Sequence, residues 1–177
     1  MGIVGEPAKR RKVKTWLSLF PKVNVILESP SGYEMETLSY LHNWSKNHQA
    51  YIFYAHTKGV TWLGDPFRNR WRDVLEWNTI GRWRECVRAL EDGKDAAGCM
   101  WLTPQEWGDQ IPNFGDIPYF GGNYWWSTTE FISTLPEVDK GSDPYYAERW
   151  LGLGAHPPDV LDLHPGFPSW EVFDKAD

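Results

Sequence analysis

The sequence contains little cysteine, and its two cysteines lie well apart. Cys86 and Cys99 form no Cys-x-x-Cys pair, which excludes the usual signature of a zinc site or a redox pair. Two lone thiols in 177 residues are typical of a reducing compartment. No apolar run is long enough to cross a bilayer, and the N-terminal residues lack the apolar core of a signal peptide. The sequence therefore predicts a cytoplasmic protein with no membrane span.

Positive charge is also scarce. The chain carries 18 Lys and Arg against 24 Asp and Glu, for a net charge of -6. A protein that binds nucleic acid regardless of sequence needs a cationic surface that displaces counterions, so no nucleic-acid partner is expected. The basic cluster between Lys9 and Lys14 is interpreted as a solvated helix face.

Tryptophan is what the sequence has in excess, with 12 residues in 177. A Trp side chain buries a large flat face and keeps one N–H to donate. The excess fits either an aromatic-rich core or a surface that stacks on sugars or bases, and composition does not separate the two.

Strand and helix patterns alternate along the first hundred residues. Helical periodicity occurs at 8–20, 34–47 and 68–93, with a candidate break at Gly81, and strand patterns occur at 3–5, 22–28, 51–55 and 96–102. This alternation predicts a three-layer α/β/α domain with a mainly parallel, Rossmann-like sheet.

The remaining residues are rich in proline and glycine. Short helices are expected after Ser127 and at 144–154. We predict a single domain over 1–177, in which 1–102 is the α/β part and 103–177 is an irregular C-terminal lobe.

The first candidate site is the polar turn that follows the strand pattern at 51–55. His56, Thr57, Lys58 and Gly59 supply an imidazole, a hydroxyl, a cation and a permissive backbone. In open α/β sheets ligands bind outside the carboxyl ends of the strands, where this turn is expected. These groups suit a phosphate or diphosphate oxyanion, although the spacing is not that of a Walker A loop. The alternative is an ordinary polar turn.

A second candidate site is the stretch Phe-Gly-Gly-Asn-Tyr-Trp-Trp at 120–126. Its two glycines let a ligand approach the backbone, its asparagine can bind sugar hydroxyls, and its Trp pair can stack on a pyranose. We predict that Gly122, Asn123, Trp125 and Trp126 shape a sugar or acceptor pocket. The alternative is a tight turn that leads into a core Trp pair.

Charged residues elsewhere supply further candidate groups. Glu148 is a candidate general base, and its alternative is a helix-surface ion pair. Arg72 is a candidate second cation for a bound anion. The spacing of four residues in the tail matches no standard zinc pattern, so no metal site is predicted from His156, Asp159, Asp162 and His164.

Taken in order, five motifs resemble a known family. They are Gly32-Tyr33-Glu34 with Glu36-Thr37-Leu38, His56-Thr57-Lys58-Gly59, Trp71-Arg72, Gly122-Asn123-Tyr124-Trp125-Trp126, and Ala147-Glu148-Arg149-Trp150-Leu151. Over Ile3 to Leu151, the chain resembles small bacterial and viral glycosyltransferase-like proteins of the GT-A type.

The resemblance implies a hexosyl- or pentosyltransferase of polysaccharide biosynthesis. Such an enzyme moves a sugar from a UDP- or GDP-type nucleotide donor to a hydroxyl of a glycan or small acceptor. The resemblance implies that 1–102 binds the nucleotide sugar and 103–177 lies on the acceptor side.

The resemblance also implies roles for individual residues. It places His56, Thr57, Lys58 and Arg72 at the donor diphosphate and makes Glu148 the base that deprotonates the acceptor hydroxyl. It assigns two further residues either to the nucleoside or to the support of ligand-binding groups, namely Glu34 and Thr37.

Typical GT-A enzymes place an Asp-x-Asp pair at the end of this strand, where it holds a divalent metal against the diphosphate. Here the same place reads His56-Thr57-Lys58. We expect Lys58 to offset the charge of the leaving diphosphate directly. A requirement for Mn²⁺ or Mg²⁺ stays open.

Two other functions stay open as well. One is a non-catalytic carbohydrate- or nucleotide-binding module on the same fold. The other is a hydrolase in which Glu148 works with Asp159 or Asp162, which requires two carboxyl groups about 5–10 Å apart.

Overall fold

The structure is a computed structural model that describes residues 1–57, 65–103, 116–141, 143 and 145–165. This part of the chain forms a mixed α/β fold with one four-stranded sheet and two two-stranded sheets. None of its helices has the length and apolar character needed to cross a membrane.

The N-terminal residues form a small unit of two strands and one helix. β1 (Gly2–Val4) pairs in parallel with β2 (Leu27–Ser29), and α1 (Pro7–Leu17) connects them. Pro7 occupies the first turn of α1, where its fixed φ suits the helix and its missing N–H is not needed. The observed strand β2 occupies only the end of the strand predicted over 22–28.

The next elements follow the predicted periodicity closely. α2 (Met35–Ser45) leads into β3 (Tyr51–Tyr54). α3 (Pro66–Glu76) begins at Asp65, whose carboxylate accepts hydrogen bonds from the backbone N–H groups of Phe67 and Arg68. Asp65 therefore acts as a helix cap.

The long helical stretch predicted over 68–93 is interrupted where a break was expected. A π-helical segment (Trp77–Gly81) follows α3, and α4 (Trp83–Glu91) begins after it. After α4 the chain enters the strand of the four-stranded sheet that comes next along the sequence.

The four-stranded sheet has the order β3-β7-β4-β8, where β4 is Ala96–Gly98, β7 is Trp125–Thr128 and β8 is Val160–Asp162. β7 is antiparallel to both β3 and β4, and β8 is parallel to β4. The prediction of a mainly parallel sheet is therefore wrong. β3 and β4 do run in the same direction, but β7 inserts between them, and the alternation of the first hundred residues contains no sign of this later strand.

The strand predicted over 96–102 is divided into two. β4 ends at Gly98, and Met100 has a φ of 62°, which is outside the range of a strand. The chain then enters β5 (Trp101–Leu102), which pairs with β6 (Tyr119–Phe120) in a separate antiparallel sheet.

The helices of the C-terminal part begin where the sequence predicts them. α5 (Thr129–Thr134) follows β7, and the Thr128 hydroxyl caps it by accepting a hydrogen bond from the N–H of Phe131. α6 (Tyr146–Arg149) continues into a 3₁₀ helix (Trp150–Leu153).

The two sides of the four-stranded sheet pack against different helices. Trp125 faces a core cluster that includes Leu38 of α2 and Ile132 of α5. Ala97 belongs to a smaller cluster with Cys86 of α4. Because successive strand residues point to opposite faces, β4, β7 and β8 each contribute to both clusters.

Candidate functional site

Two of the predicted motifs meet at one edge of the sheet. In the antiparallel pair of β3 and β7, Tyr54 is opposite Trp125. His56 follows the end of β3 by two residues, and Asn123 precedes β7 by two residues. The antiparallel register therefore brings the polar turn after β3 next to the Gly-Gly-Asn turn before β7.

Glu34, just before α2, is the centre of a hydrogen-bond network at this edge. Its Oε1 is 2.7 Å from Nδ1 of His56, and its Oε2 accepts hydrogen bonds from the Tyr54 hydroxyl (3.1 Å) and from Nδ2 of Asn123 (2.7 Å). Both oxygens of the carboxylate are thus engaged by protein donors. We call Glu34, His56, Tyr54 and Asn123 the Glu34 network.

Asn123 connects this network to the C-terminal part of the chain. Its Nδ2 also donates to the backbone oxygen of Ala147 (3.3 Å), and its Oδ1 accepts from Nε1 of Trp125 (2.8 Å). The residue is 1% exposed and has a φ of 57°, a left-handed conformation that asparagine tolerates better than most residues. Asn123 is therefore held by the protein interior, with its amide directed at protein groups.

His56 has an oxygen atom beside each ring nitrogen. Nδ1 lies at Glu34, and Nε2 lies 3.0 Å from the backbone oxygen of Gly122. A doubly protonated ring donates a hydrogen bond to each of these acceptors. The backbone oxygen of His56 in turn accepts from the Tyr124 hydroxyl at 2.9 Å. The start of the polar turn is therefore fixed through both its side chain and its backbone.

The electrostatics of the network follow from this pairing. Burial acts to raise the pKa of Glu34, but the hydrogen bond and charge of His56 outweigh it, with help from Asn123 and Tyr54, so the pKa lies below its ordinary value. Burial and then the charge of Glu34 raise the pKa of Tyr54 well above its ordinary value, so Tyr54 stays a donor. The carboxylate of Glu34 is therefore ionised at neutral pH and lies within hydrogen-bond distance of His56, Tyr54 and Asn123.

The Trp71-Arg72 motif lies at the same edge. A Cβ atom added to Gly122 would lie 3.4 Å from Nε1 of Trp71, so α3 packs closely on the Gly-Gly-Asn turn. The guanidinium of Arg72 lies 3.7 Å from the carboxylate of Glu76, and both charges act on the phenol of Tyr124, whose pKa is raised mainly by burial. Arg72 thus acts electrostatically on a phenol whose hydroxyl contacts the backbone of His56, and its contact with a diphosphate stays a prediction.

The tryptophan pair is divided between the two faces of β7. Trp125 is 1% exposed and stacks on Tyr54 with ring centroids 4.9 Å apart. Trp126 projects to the other face, stacks on Phe53, and donates its indole N–H to the backbone oxygen of Thr79. Trp125 has no ring face open to a sugar in this structure. For Trp126, which is partly buried, a sugar contact stays a prediction.

Glu148 lies one residue away from the network, on α6. The backbone oxygen of its neighbour Ala147 accepts the hydrogen bond from Asn123. Burial raises the pKa of Tyr119 to about 12, and the charge of Glu148 adds to this effect, which places the carboxylate near that phenol. The backbone next to Glu148 therefore lies at the edge at which the other motifs meet, and the role of its carboxylate as a base stays a prediction.

The remaining predicted residues are less central. Thr57 is exposed at the end of the described part of the polar turn, and Lys58 and Gly59 lie outside the described residues. Thr37, on α2, packs directly against Gly2 of β1, which leaves its predicted nucleoside contact as a prediction.

The acidic residues of the tail serve other groups. The carboxylate of Asp162 accepts hydrogen bonds from the backbone N–H groups of Met100 and Trp101, and Asp159 pairs with Lys94 at 2.7 Å. The described residues include no group of three or more His, Cys, Asp or Glu side chains suited to a metal ion. Both aspartates are therefore engaged by protein groups, and a hydrolytic pair with Glu148 stays a prediction.

Sequence reasoning missed the central position of Glu34 and the part played by the two tyrosines. Glu34 carries no local signal beyond its place in the Gly-Tyr-Glu motif, because its partners are 20 to 89 residues away. Tyr54 and Tyr124 look like ordinary strand residues, and only their hydroxyl contacts distinguish them.

Comparisons of this chain with protein-family models, with curated proteins and with solved structures give no match. The chemistry open to the site follows from its own residues. Both oxygens of Glu34 are engaged by protein groups, so the network is suited to fixing the start of the polar turn. A ligand would have to be bound by other residues.

Proposed function

We propose that this protein is a glycosyltransferase that moves a sugar from a nucleotide-diphosphate donor to a hydroxyl of a glycan or other acceptor. The observation that carries the proposal is the convergence of the five family-like motifs. Glu34 contacts His56 and Asn123, and Asn123 contacts Ala147. Trp71 packs on Gly122. Residues up to 113 positions apart in sequence thus meet at one edge of the sheet.

This convergence supports the resemblance because the motifs were recognised from their order along the chain alone. Motifs that matched by chance have no reason to share a hydrogen-bond network. The GT-A-type, three-layer arrangement belongs to the same proposal, and it is supported by the packing of α2 and α4 in different clusters on the sheet and by the common direction of β3 and β4.

In the proposed reaction the donor diphosphate binds at the turn after β3. The hydroxyl of Thr57, the ammonium of Lys58 and the guanidinium of Arg72 stabilise its negative charge. The acceptor oxygen forms a bond to the anomeric carbon while the bond from that carbon to the diphosphate oxygen breaks. The nucleoside diphosphate leaves with the electron pair, and the acceptor proton passes to the carboxylate of Glu148.

His56 has a supporting role in this proposal. Its ring is engaged by Glu34 and by the Gly122 backbone, so its contribution is the position of the start of the polar turn. The partly buried contact between Glu34 and His56 fixes the start of the turn before a ligand arrives, which reduces the ordering that binding requires.

The described residues at the end of β3 do not fit a divalent metal. Both nitrogens of His56 and both oxygens of Glu34 are already paired within the protein. Asp65, the next acidic residue along the chain, caps α3. The electrostatic stabilisation of the leaving group is therefore assigned to Lys58 and Arg72 in this proposal.

A second candidate function is a non-catalytic carbohydrate- or nucleotide-binding module. The observation that favours it is that the polar groups of the Glu34 network are directed at one another, as in a structural cluster. Such a module would keep the anion site and lack turnover.

Release of UDP or GDP from nucleotide sugars, with water or a hydroxyl compound as acceptor, tests the proposal. Glu148→Gln keeps the shape of the side chain and removes the base, so we expect a loss of about 10²–10⁴-fold in rate with nucleotide binding retained in calorimetry. Lys58→Ala should instead weaken nucleotide binding. Glu130→Gln, at an exposed position in the first turn of α5, is the matched control and should behave as the parent.

The outcomes separate the candidate functions. Transfer by Glu148→Gln at the parent rate would show that the base is misassigned. The parent protein could also bind nucleotide sugars and turn none of them over with any acceptor or with water. That result would favour the binding module over the enzyme.

A further inference from the structure

One face of α1 carries apolar side chains that the fold leaves in solvent. Trp16 is 58% exposed and Leu19, just after the helix, is 72% exposed. Val13 and Phe20 are exposed beside them. Together with Lys12, we call these residues the α1 face.

The opposite side of α1 holds the helix to the rest of the protein. Leu17 is buried there, and Arg10 and Lys14 form ion pairs with Glu28 of β2. The apolar residues of this segment recur at helical spacing, yet of Val13, Trp16, Leu17 and Phe20 only Leu17 is buried. The attachment of α1 through Leu17 and Glu28 therefore turns the aromatic side chains outward.

The charge around the α1 face is opposite to that of the whole protein. Residues 1–26 contain six of the 18 Lys and Arg and one of the 24 Asp and Glu, so this segment is positive in a chain of net charge -6. Within the described residues no ion pair engages Arg11, Lys12 or Lys22. Exposed aromatic and aliphatic side chains thus lie among cations without carboxylate partners.

We propose that the α1 face docks on an anionic lipid surface. Lysine and arginine side chains bind the phosphates of anionic lipids, while tryptophan and phenylalanine rings favour the boundary between headgroups and acyl chains. A nucleic acid could bind the cations and stack on the aromatic rings, but it has no apolar phase in which Leu19 and Val13 could be buried. The α1 helix, with 11 residues, is too short to span the bilayer, so it lies in the interface.

This surface is independent of the proposed transferase site. It uses no residue of the Glu34 network and no predicted ligand contact. Docking and sugar transfer can therefore succeed or fail separately.

Vesicle flotation of the full chain tests the proposal. The vesicles contain either phosphatidylcholine alone or equal parts of phosphatidylcholine and phosphatidylglycerol. We expect binding to the mixed vesicles only, with loss of binding in high salt, since exposed charges are screened. Free inorganic phosphate at the concentration of the lipid phosphate should not compete, because it offers no apolar phase.

Three variants locate the contact. Trp16→Ser combined with Leu19→Ser should weaken vesicle binding about tenfold or more, because it removes most of the apolar contact. Lys12→Glu should weaken it about fivefold or more, because it replaces one attractive charge with a repulsive one. Trp77→Ser is the matched control, since Trp77 is 67% exposed in the π-helical segment and lies outside the α1 face. Circular dichroism verifies that each variant is folded.

Several results would overturn the proposal. Failure of the protein to float with the mixed vesicles would show that the α1 face is not a lipid contact. The same would follow if Trp77→Ser lost as much vesicle binding as the Trp16→Ser, Leu19→Ser variant. Binding to a single-stranded RNA that survives Leu19→Ser would assign the cations to nucleic acid. A dimer in sedimentation that the Trp16→Ser, Leu19→Ser variant disperses would assign the face to a second copy of the chain.

Discussion

The Glu34 network and the α1 face depart from the usual distribution of side chains in opposite directions. The network places a buried amide and a buried phenol on a partly buried carboxylate, whereas the α1 face places aromatic and aliphatic groups in solvent. A buried polar group must be satisfied by partners, and an exposed apolar patch is tolerated without them. The network is therefore expected to be sensitive to substitution in the isolated protein, and the α1 face is expected to be sensitive only when a partner is present.

The largest effect is expected from Glu34→Ala. This change leaves His56, the buried Asn123 and the buried Tyr54 hydroxyl without their common acceptor, and buried groups left unsatisfied cost about 1–3 kcal/mol each, so we expect a loss of about 3 kcal/mol or more in the free energy of unfolding. Urea denaturation measures it. Glu36→Ala is the matched control, since Glu36 is exposed to a similar extent but pairs with the half-exposed Lys140, a pair that should contribute less than about 1 kcal/mol. Equal losses for both variants would contradict the central role of Glu34.

The second prediction concerns the turn that supports the network. Gly122 has a φ of 95°, and a Cβ atom there would lie 2.7 Å from Cδ1 of the fully buried Leu75. Gly93 has a φ of 97° with no atom within 4 Å of such a Cβ. Gly93→Ala therefore reports backbone strain alone, about 1 kcal/mol, whereas Gly122→Ala adds overpacking for a total of about 2–4 kcal/mol.

Thermal and urea unfolding of the two glycine variants gives both values. A cost for Gly122→Ala no larger than that for Gly93→Ala would mean that Leu75 moves freely and that the turn is not tightly packed.

The third prediction is the pH dependence of the network. The pKa of Glu34 lies below its ordinary value of 4.5, so the folded state favours the carboxylate. Its contribution to stability is fully present above about pH 5.5 and is lost as the pH falls through the folded-state pKa. The difference in unfolding free energy between the parent and Glu34→Gln should therefore shrink on acidification, and a difference that grows instead would contradict the ion pair.

The smallest effect is expected from the α1 face. Trp16→Ser removes an exposed ring whose described contact is an edge-on approach to Phe20 at 4.9 Å between centroids. We expect a change of less than about 0.5 kcal/mol in the free energy of unfolding. A loss comparable to that of Glu34→Ala would mean that the ring is part of the core, and it would also remove the basis for lipid docking.

Local sequence signals predicted most helices and strands but not their assembly. The Thr128 cap, the break near Gly81 and the strand at Tyr51–Tyr54 are each specified by residues close in sequence. The insertion of β7 between β3 and β4 depends on contacts across more than seventy residues, which no local pattern contains.

The candidate site shows the same division. The position of His56 after a strand was predicted, because strand ends are marked locally. Its pairing with Glu34 and the burial of Trp125 were not, because both depend on which faces meet in three dimensions. The outward orientation of Trp16 also escaped prediction, since helical periodicity identifies an apolar stripe without showing which part of it the fold covers.

The strand order has a consequence for how the chain folds during synthesis. β3 and β4 are complete once the first hundred residues have left the ribosome, but the strand that joins them, β7, ends at Thr128. Until then both have an unpaired edge toward the missing neighbour, and such edges are prone to pair with other chains. Closing contacts between distant segments is also slow. The nascent chain is therefore expected to pass through an interval in which it benefits from a chaperone, and that interval ends when β7 fills the gap.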